Sequence, residues 1–191
     1  MSAKWDTRFL GLAAHISAWS KDPSSQVGAV ITEGNRIISL GYNGFAAGVE
    51  DKPERLSNRD CKLNLTIHAE ENAMIFAKRG LSDCTVYVTH PPCPRCAAKL
   101  IQEEVARVVY IAPSKDFLSR WADDLKLSAE LLTARAEAMA AFEASHRGAT
   151  PRQREQHLAQ VRDGWVAEWD TRHLDPGLYT LVVTAFDAQQ H

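Results

Sequence analysis

The sequence predicts an α/β fold, with one mixed β-sheet covered by helices on both faces. Three observations predict it. Short apolar runs alternate with amphipathic stretches along the chain. The helical stretch 97–104 lies between two apolar strand-like runs, and a crossover of that kind implies parallel pairing. The turn residues Glu33-Gly34-Asn35 join two other runs, which implies an antiparallel hairpin.

Residues 5–19 read as a helix, because Phe9, Leu12, Ala13, Ile16 and Trp19 recur at helical spacing. Residues 20–25 carry Pro23 and read as a loop. Val27 to Thr32 is a short apolar strand, and Arg36 to Tyr42 alternates as a second. Gly41, Gly44 and Gly48 then open a polar stretch, and residues 45–65 predict a loop with at most a short helix. A loop that long inside a compact domain tends to be functional. His68 to Lys78 is helical, with Gly80 as its stop signal. Thr85 to Thr89 is a strand, broken by His90-Pro91-Pro92-Cys93-Pro94. Ala97 to Glu104 is the crossover helix, and Ala106 to Ile111 the strand after it. Residues 119–145 form an alanine-rich helix and 150–169 another. A turn at Asp175-Pro176-Gly177 leads into a last strand, Leu178 to Phe186.

The 191 residues suit one domain, or one domain with an appendage. Hydrophobic residues at 45% and charged residues at 24% exclude wholesale disorder. A formal net charge of -2 and a pI near 6.4 provide no bulk positive charge for a nucleic-acid polymer, though a local patch stays open. No apolar run approaches the ~20 residues of a membrane span. The opening residues lack a signal peptide's apolar stretch, so a cytoplasmic protein is expected. Nothing calls for disulfides among Cys61, Cys84, Cys93 and Cys96. In a reducing compartment the C-x-x-C of Cys93 and Cys96 is a redox pair or half of a metal site.

His68-Ala69-Glu70 followed by Pro92-Cys93-Pro94-Arg95-Cys96 decides between those readings. H-x-E…P-C-x-x-C is the signature of zinc nucleobase deaminases. One imidazole and two thiolates are ligands that zinc prefers, and three ligands leave the fourth position open for catalysis. His68, Cys93 and Cys96 are therefore the expected metal ligands, for one catalytic Zn2+ per chain. Both groups open helices, and a helix N-terminus favours thiolate. Glu70 is the expected catalytic acid/base, taking a proton from water and passing it to the substrate. A thioredoxin-like redox role leaves the His-Ala-Glu without a task. Glu70 also complements the helix dipole, which is compatible with catalysis. Cys84 reads as a core residue and Cys61 as a loop thiol without metal-type neighbours. His90 is a structural hydrogen-bonder or lines the pocket.

Four segments then carry a resemblance: residues 19–31 (WSKDPSSQVGAVI), Gly41-Tyr42-Asn43-Gly44, residues 68–73 (HAEENA) and residues 85–96 (TVYVTHPPCPRC). They resemble the deoxycytidylate (dCMP) deaminases of bacteria and phages, over about residues 5–127. The resemblance implies a three-layer α/β/α cytidine-deaminase-like fold with a five-stranded mixed sheet. It implies zinc-dependent deamination of dCMP to dUMP and ammonia, feeding dTMP synthesis. It also implies a homo-oligomer, often a hexamer, activated by dCTP and inhibited by dTTP, with Gly41, Tyr42, Asn43 and Gly44 as effector contacts.

Asn43 offers a donor and an acceptor to a sugar hydroxyl, although an Asn-Gly turn explains it equally on residue type. Lys21, Ser24, Ser25, Gln26 and Asn72 are candidate phosphate donors, and Arg55 and Arg59 candidate effector contacts. Lys21 reads equally as a solvated surface charge. No ligand set for a second, structural zinc is found. Past about residue 127 the resemblance fades, and residues 146–177 read as a helical insertion before the last strand of a single domain 1–191. The alternatives are deamination of a 5-substituted dCMP, another cytosine mononucleotide or a free base, a polynucleotide deaminase, or a non-catalytic zinc module.

Overall fold

A computed structural model describes residues 3–145 and 179–181. The chain opens with helix α1 (Ala3–Ser17), followed by strands β1 (Gly28–Glu33) and β2 (Arg36–Tyr42). The predicted hairpin is there, turning at Gly34, whose φ of 53° needs no Cβ. Two short helices follow, α2 (Pro53–Ser57) and α3 (Arg59–Leu65). This corrects the expectation of a loop with at most one short helix over 45–65. Neither helix buries a residue, so neither carries the apolar period that reveals a helix in sequence.

Helix α4 (Ala69–Ala77) starts at His68 and stops at Lys78, whose φ of 51° is left-handed. The stop therefore comes two residues before the expected Gly80. Strand β3 (Thr85–Val88), helix α5 (Pro94–Gln102) and strand β4 (Arg107–Tyr110) form the predicted crossover, with β3 and β4 parallel. The alanine-rich segment divides into α6 (Lys115–Arg120) and the long α7 (Ala122–Ser145).

The four strands between residues 28 and 110 run in the order β2-β1-β3-β4, with β1 antiparallel to both neighbours. A three-residue segment, β5 (Tyr179–Leu181), lies antiparallel to β4. The rest of the expected strand 178–186, the helix 150–169 and the insertion 146–177 lie outside the described residues.

Strand alternation divides the core in two. Val30, Tyr87 and Val109 face α1 and pack on Phe9, Leu10, Ala13 and Ile16. Ala29, Ile31, Val86, Val88 and Val108 face the other way, onto Ala69 and Ala73 of α4 and Leu100 of α5. Helix α7 then covers α5 through Leu132 against Ala97. Helices thus lie on both faces, as expected.

Two glycines permit the closest approaches. A Cβ at Gly28 would lie 2.1 Å from the Ala13 carbonyl oxygen of α1. A Cβ at Gly41 would lie 2.3 Å from the Ala69 carbonyl oxygen and 2.4 Å from the Ala73 nitrogen of α4. The start of β1 and the ends of β2 and β3 meet at one end of the sheet, since Gly28 pairs with Tyr42 and Ala29 with Val88. Strand ends are where open α/β sheets bind ligands.

Candidate active site

At that end of the sheet the helices α4 and α5 begin side by side. His68 and Cys93 are their N-cap residues, both in extended conformation. Pro94 occupies the first turn of α5, where its missing N–H costs nothing. Cys96 follows one turn in. The chain just before His68 is pinned to the end of β2: Ile67 N–H donates to the Gly44 carbonyl at 2.8 Å, and Gly44 N–H returns to Ile67 at 3.1 Å. The chain before Cys93 is held by Ser128 of α7, whose hydroxyl donates to the Pro92 carbonyl at 2.7 Å.

His68 Nδ1 lies 3.4 Å from Cys93 Sγ and 3.4 Å from Cys96 Sγ. The ligand atoms of the three residues all lie within 4.8 Å of one another. Such a nitrogen and two sulfurs are a borderline-soft donor set of the kind zinc takes, and three donors rather than four suit a catalytic ion. The set fits zinc. The Cys93 thiol is drawn well below the ordinary range, chiefly by Cys96, with the hydrogen bond to His68 adding to the effect. Cys96 is pushed up by Cys93 and by burial. The hydrogen bond with Cys93 raises the imidazole of His68.

Glu70 lies within this group. It is 4% exposed, with Cys96 and His68 beside it. Burial pushes its carboxyl up to about 7. A second cross-link joins the helices nearby, from Lys99 of α5 to Glu71 of α4.

The other expected site residues divide. Asn43 is 5% exposed and sits on the same rim. Its Oδ1 accepts from Val27 N–H at 2.8 Å, and its Nδ2 donates to the Ser25 carbonyl at 2.8 Å. Each group keeps a second hydrogen-bonding position. Ser24 donates through Oγ to Asp22 Oδ1 at 2.9 Å. Gln26 Nε2 is bound to the Ser20 carbonyl at 2.6 Å. Lys21, by contrast, is 72% exposed on its pair with Asp51. Asn72 turns to the Tyr42 carbonyl at 2.8 Å, and Arg55 to the Glu50 carbonyl at 2.9 Å. His90 contacts Thr89 Oγ1 at 3.1 Å and packs on Phe117, its ring centroid 5.1 Å away.

Gly41, Asn43 and Gly44 each do structural work in this arrangement: Gly41 clears α4, Asn43 ties down residues 25–27, and Gly44 holds Ile67. The buried ion pair of Asp22 with Lys62, 2.9 Å apart, lies outside the sequence expectations. Asp22 carries a readable signal, the turn pattern Asp-Pro-Ser-Ser. Lys62 carries none.

Residues 3–112 match the family model of the cytidine and deoxycytidylate deaminase zinc-binding region. The chain belongs to this family. Within it, the chain is 48% identical over 133 residues to a protein named uncharacterized deaminase in luxG 3′ region, from Aliivibrio fischeri, covering 70% of this chain and 90% of that one. It is 47% identical over 109 residues to a probable deoxycytidylate deaminase of Caenorhabditis elegans, 54% of this chain and 55% of that relative. Among solved structures it is similar to the dCMP deaminase of cyanophage S-TIM5 in complex with dCMP and dUMP, with a TM-score of 0.55 and 25% identity, over 69% of this chain and 94% of that one. The α/β deaminase fold expected from the sequence is thereby shown, its five-strand count apart, and the family is a zinc-binding one with His68, Cys93 and Cys96 positioned for a metal. No described helix is long and apolar enough to cross a membrane.

Proposed function

We propose that the protein hydrolyses dCMP to dUMP and ammonia, and so supplies dUMP for dTMP synthesis. The observation that carries the chemistry is a buried carboxylic acid, Glu70, set against a three-ligand His68/Cys93/Cys96 group at the strand ends. The substrate rests on the likeness to the cyanophage enzyme that holds dCMP and dUMP, and on relatives named deoxycytidylate deaminase.

Zinc bound by the three ligands supplies Lewis acidity, which lowers the pKa of water to about 7. Glu70 takes a proton from the attacking water and delivers it to the ring nitrogen beside the amino-bearing carbon. The water oxygen stays on that carbon, a second proton goes to the departing amine, and ammonia leaves. Asn43 contacts the sugar through its remaining donor and acceptor. Ser24, Lys21 and Asn72 belong to the substrate rim in this reading. Gly41, Tyr42, Asn43 and Gly44 form the effector segment for dCTP and dTTP. A homo-oligomer agrees with the exposed Ile75 and Phe76 on α4, and a cytoplasmic setting with four free thiols.

The test is ammonia release from dCMP, CMP, dCTP, deoxycytidine and 5-substituted dCMPs. Preferred turnover of dCMP is expected. Preference for a 5-substituted dCMP would move the substrate within the same chemistry. Turnover of no mononucleotide, with activity on single-stranded DNA or tRNA, would overturn the reading.

A further inference from the structure

A closed ring of contacts joins Lys62 to the metal ligands. Lys62 Nζ donates to Asp22 Oδ1 at 2.9 Å and to Ser24 Oγ. The neighbouring Ser25 and Val27 are held by Asn43, and Gly44 is bonded to Ile67, which precedes His68. From His68 the chain runs back through the end of α3 to Lys62. Those six residues include a helical turn, so the two side chains arise within roughly 15 Å of each other.

We infer that Lys62 is the cation that recognises the substrate's 5′-phosphate and makes the enzyme select a nucleotide over a nucleoside. This rests on the mononucleotide reading above and adds a specificity residue to it. Lys62 is 12% exposed at its side chain and Asp22 9%. Taking two charges out of water is costly, and a buried pair seldom repays that through stability alone. Its use lies in holding a charge ready. Asp22 Oδ1 accepts four hydrogen bonds, from Ser24 N–H at 2.8 Å, Ser24 Oγ, Ser25 N–H at 3.1 Å and Lys62. The backbone donors hold the carboxylate below its ordinary range despite burial. The carboxylate is thus fixed by its own loop and fixes the ammonium in turn. Among the described residues, two of the three Lys62 N–H groups are engaged, and the third is available to a phosphate oxygen.

Lys21 is the rival, and its pair with Asp51 is a surface one. A surface lysine is held loosely and must be ordered on binding, whereas Lys62 is already placed. A charge-assisted hydrogen bond to phosphate contributes enough to change affinity about ten- to a hundredfold.

The experiment is steady-state kinetics of the full-length zinc enzyme on dCMP and on deoxycytidine, for the wild type, Lys62→Met, Lys62→Gln and Lys62→Arg. Lys62→Met should raise KM for dCMP about ten- to a hundredfold. It should leave kcat nearly unchanged and turnover of deoxycytidine unaltered. Lys62→Arg should recover part of the loss. Lys62→Gln keeps a donor to Asp22 without the charge, and should show the same selective loss even where Lys62→Met does not fold. An unchanged KM for dCMP in Lys62→Gln overturns the inference. So does an equal loss on both substrates, which marks Lys62 as a structural strut. A wild type that prefers deoxycytidine to dCMP removes the mononucleotide reading itself, and this inference with it.

Discussion

The two faces of the sheet each bury a carboxylic acid, and the two acids are treated in opposite ways. On the α1 face, Asp6 accepts from Tyr87 Oη at 2.8 Å and from both Arg107 nitrogens, at 2.7 and 2.9 Å. The Arg107 guanidinium holds this carboxyl below its ordinary range, and the phenol of Tyr87 is pushed up by burial and by Asp6. On the α4 face, Glu70 lies deeper and lacks an arginine, and burial pushes it up to about 7. Depth of burial and the presence of a cationic partner together set the two acids apart. A carboxylate with a matched set of donors serves the fold, and in the proposed mechanism the one left beside His68, Cys93 and Cys96 moves a proton.

The largest test of this contrast is Glu70→Gln. The amide keeps the shape and loses the exchangeable acid. Turnover of dCMP should fall by about 10²–10⁴-fold or more, while zinc content by metal analysis stays full. Thermal stability should hold or rise, because a poorly solvated acid has been removed. Retained turnover would take Glu70 out of the proton path. On the other face, Arg107→Met should do the reverse. It leaves Asp6 buried without its ion-pair partner and should cost about 3–5 kcal/mol in a denaturant titration. The folded variant should turn over dCMP normally at low temperature. A fall in kcat as large as that of Glu70→Gln would show that the two faces are not separate.

The two faces also differ in how far they could be read beforehand. His68, Glu70, Cys93 and Cys96 were legible because each pair falls within one helical turn or one N-terminus, where spacing alone dictates geometry. The hairpin and the crossover were legible for the same local reason. Asp6 with Arg107 spans 101 residues, and Asp22 with Lys62 spans 40. No residue type announces a partner at that distance. The helices α2 and α3 were hidden because they bury nothing. The Gly-Tyr-Asn-Gly segment stands out in the sequence through its family resemblance, but the tasks of its glycines depend on α4 lying against β2, which only the assembled sheet provides.

Gly41→Ala gives a smaller and mixed effect, because Gly41 belongs to the fold and to the site at once. The added methyl meets the Ala69 oxygen and the Ala73 nitrogen, which are backbone atoms and cannot rotate away. Helix α4 must shift, taking His68 and Glu70 with it. A displacement near 1 Å in a catalytic group costs on the order of 10²-fold, so kcat/KM should drop by about that much together with a lower Tm. Gly11→Ala is the control, since a Cβ there meets nothing within 4 Å. Equal behaviour of the two variants would remove close packing as the reason for Gly41.

The smallest effect is the pH dependence of the Asp6 network. The folded-state pKa of Asp6 is lowered, so its contribution is complete above the unfolded value of about 3.9 and is lost as pH falls through the lower folded value. Stability should therefore decline below about pH 4. Asp6→Asn should start from a lower plateau and show a shallower acid decline. Some slope should survive in that variant, because Asp22 is also lowered and titrates in the same direction. Asp6→Asn/Asp22→Asn should flatten the decline further, and additively, since no described contact joins the two sites. An acid decline as steep in Asp6→Asn as in the wild type would mean that Arg107 and Tyr87 do not hold the Asp6 charge, and the contrast with Glu70 would then rest on burial alone.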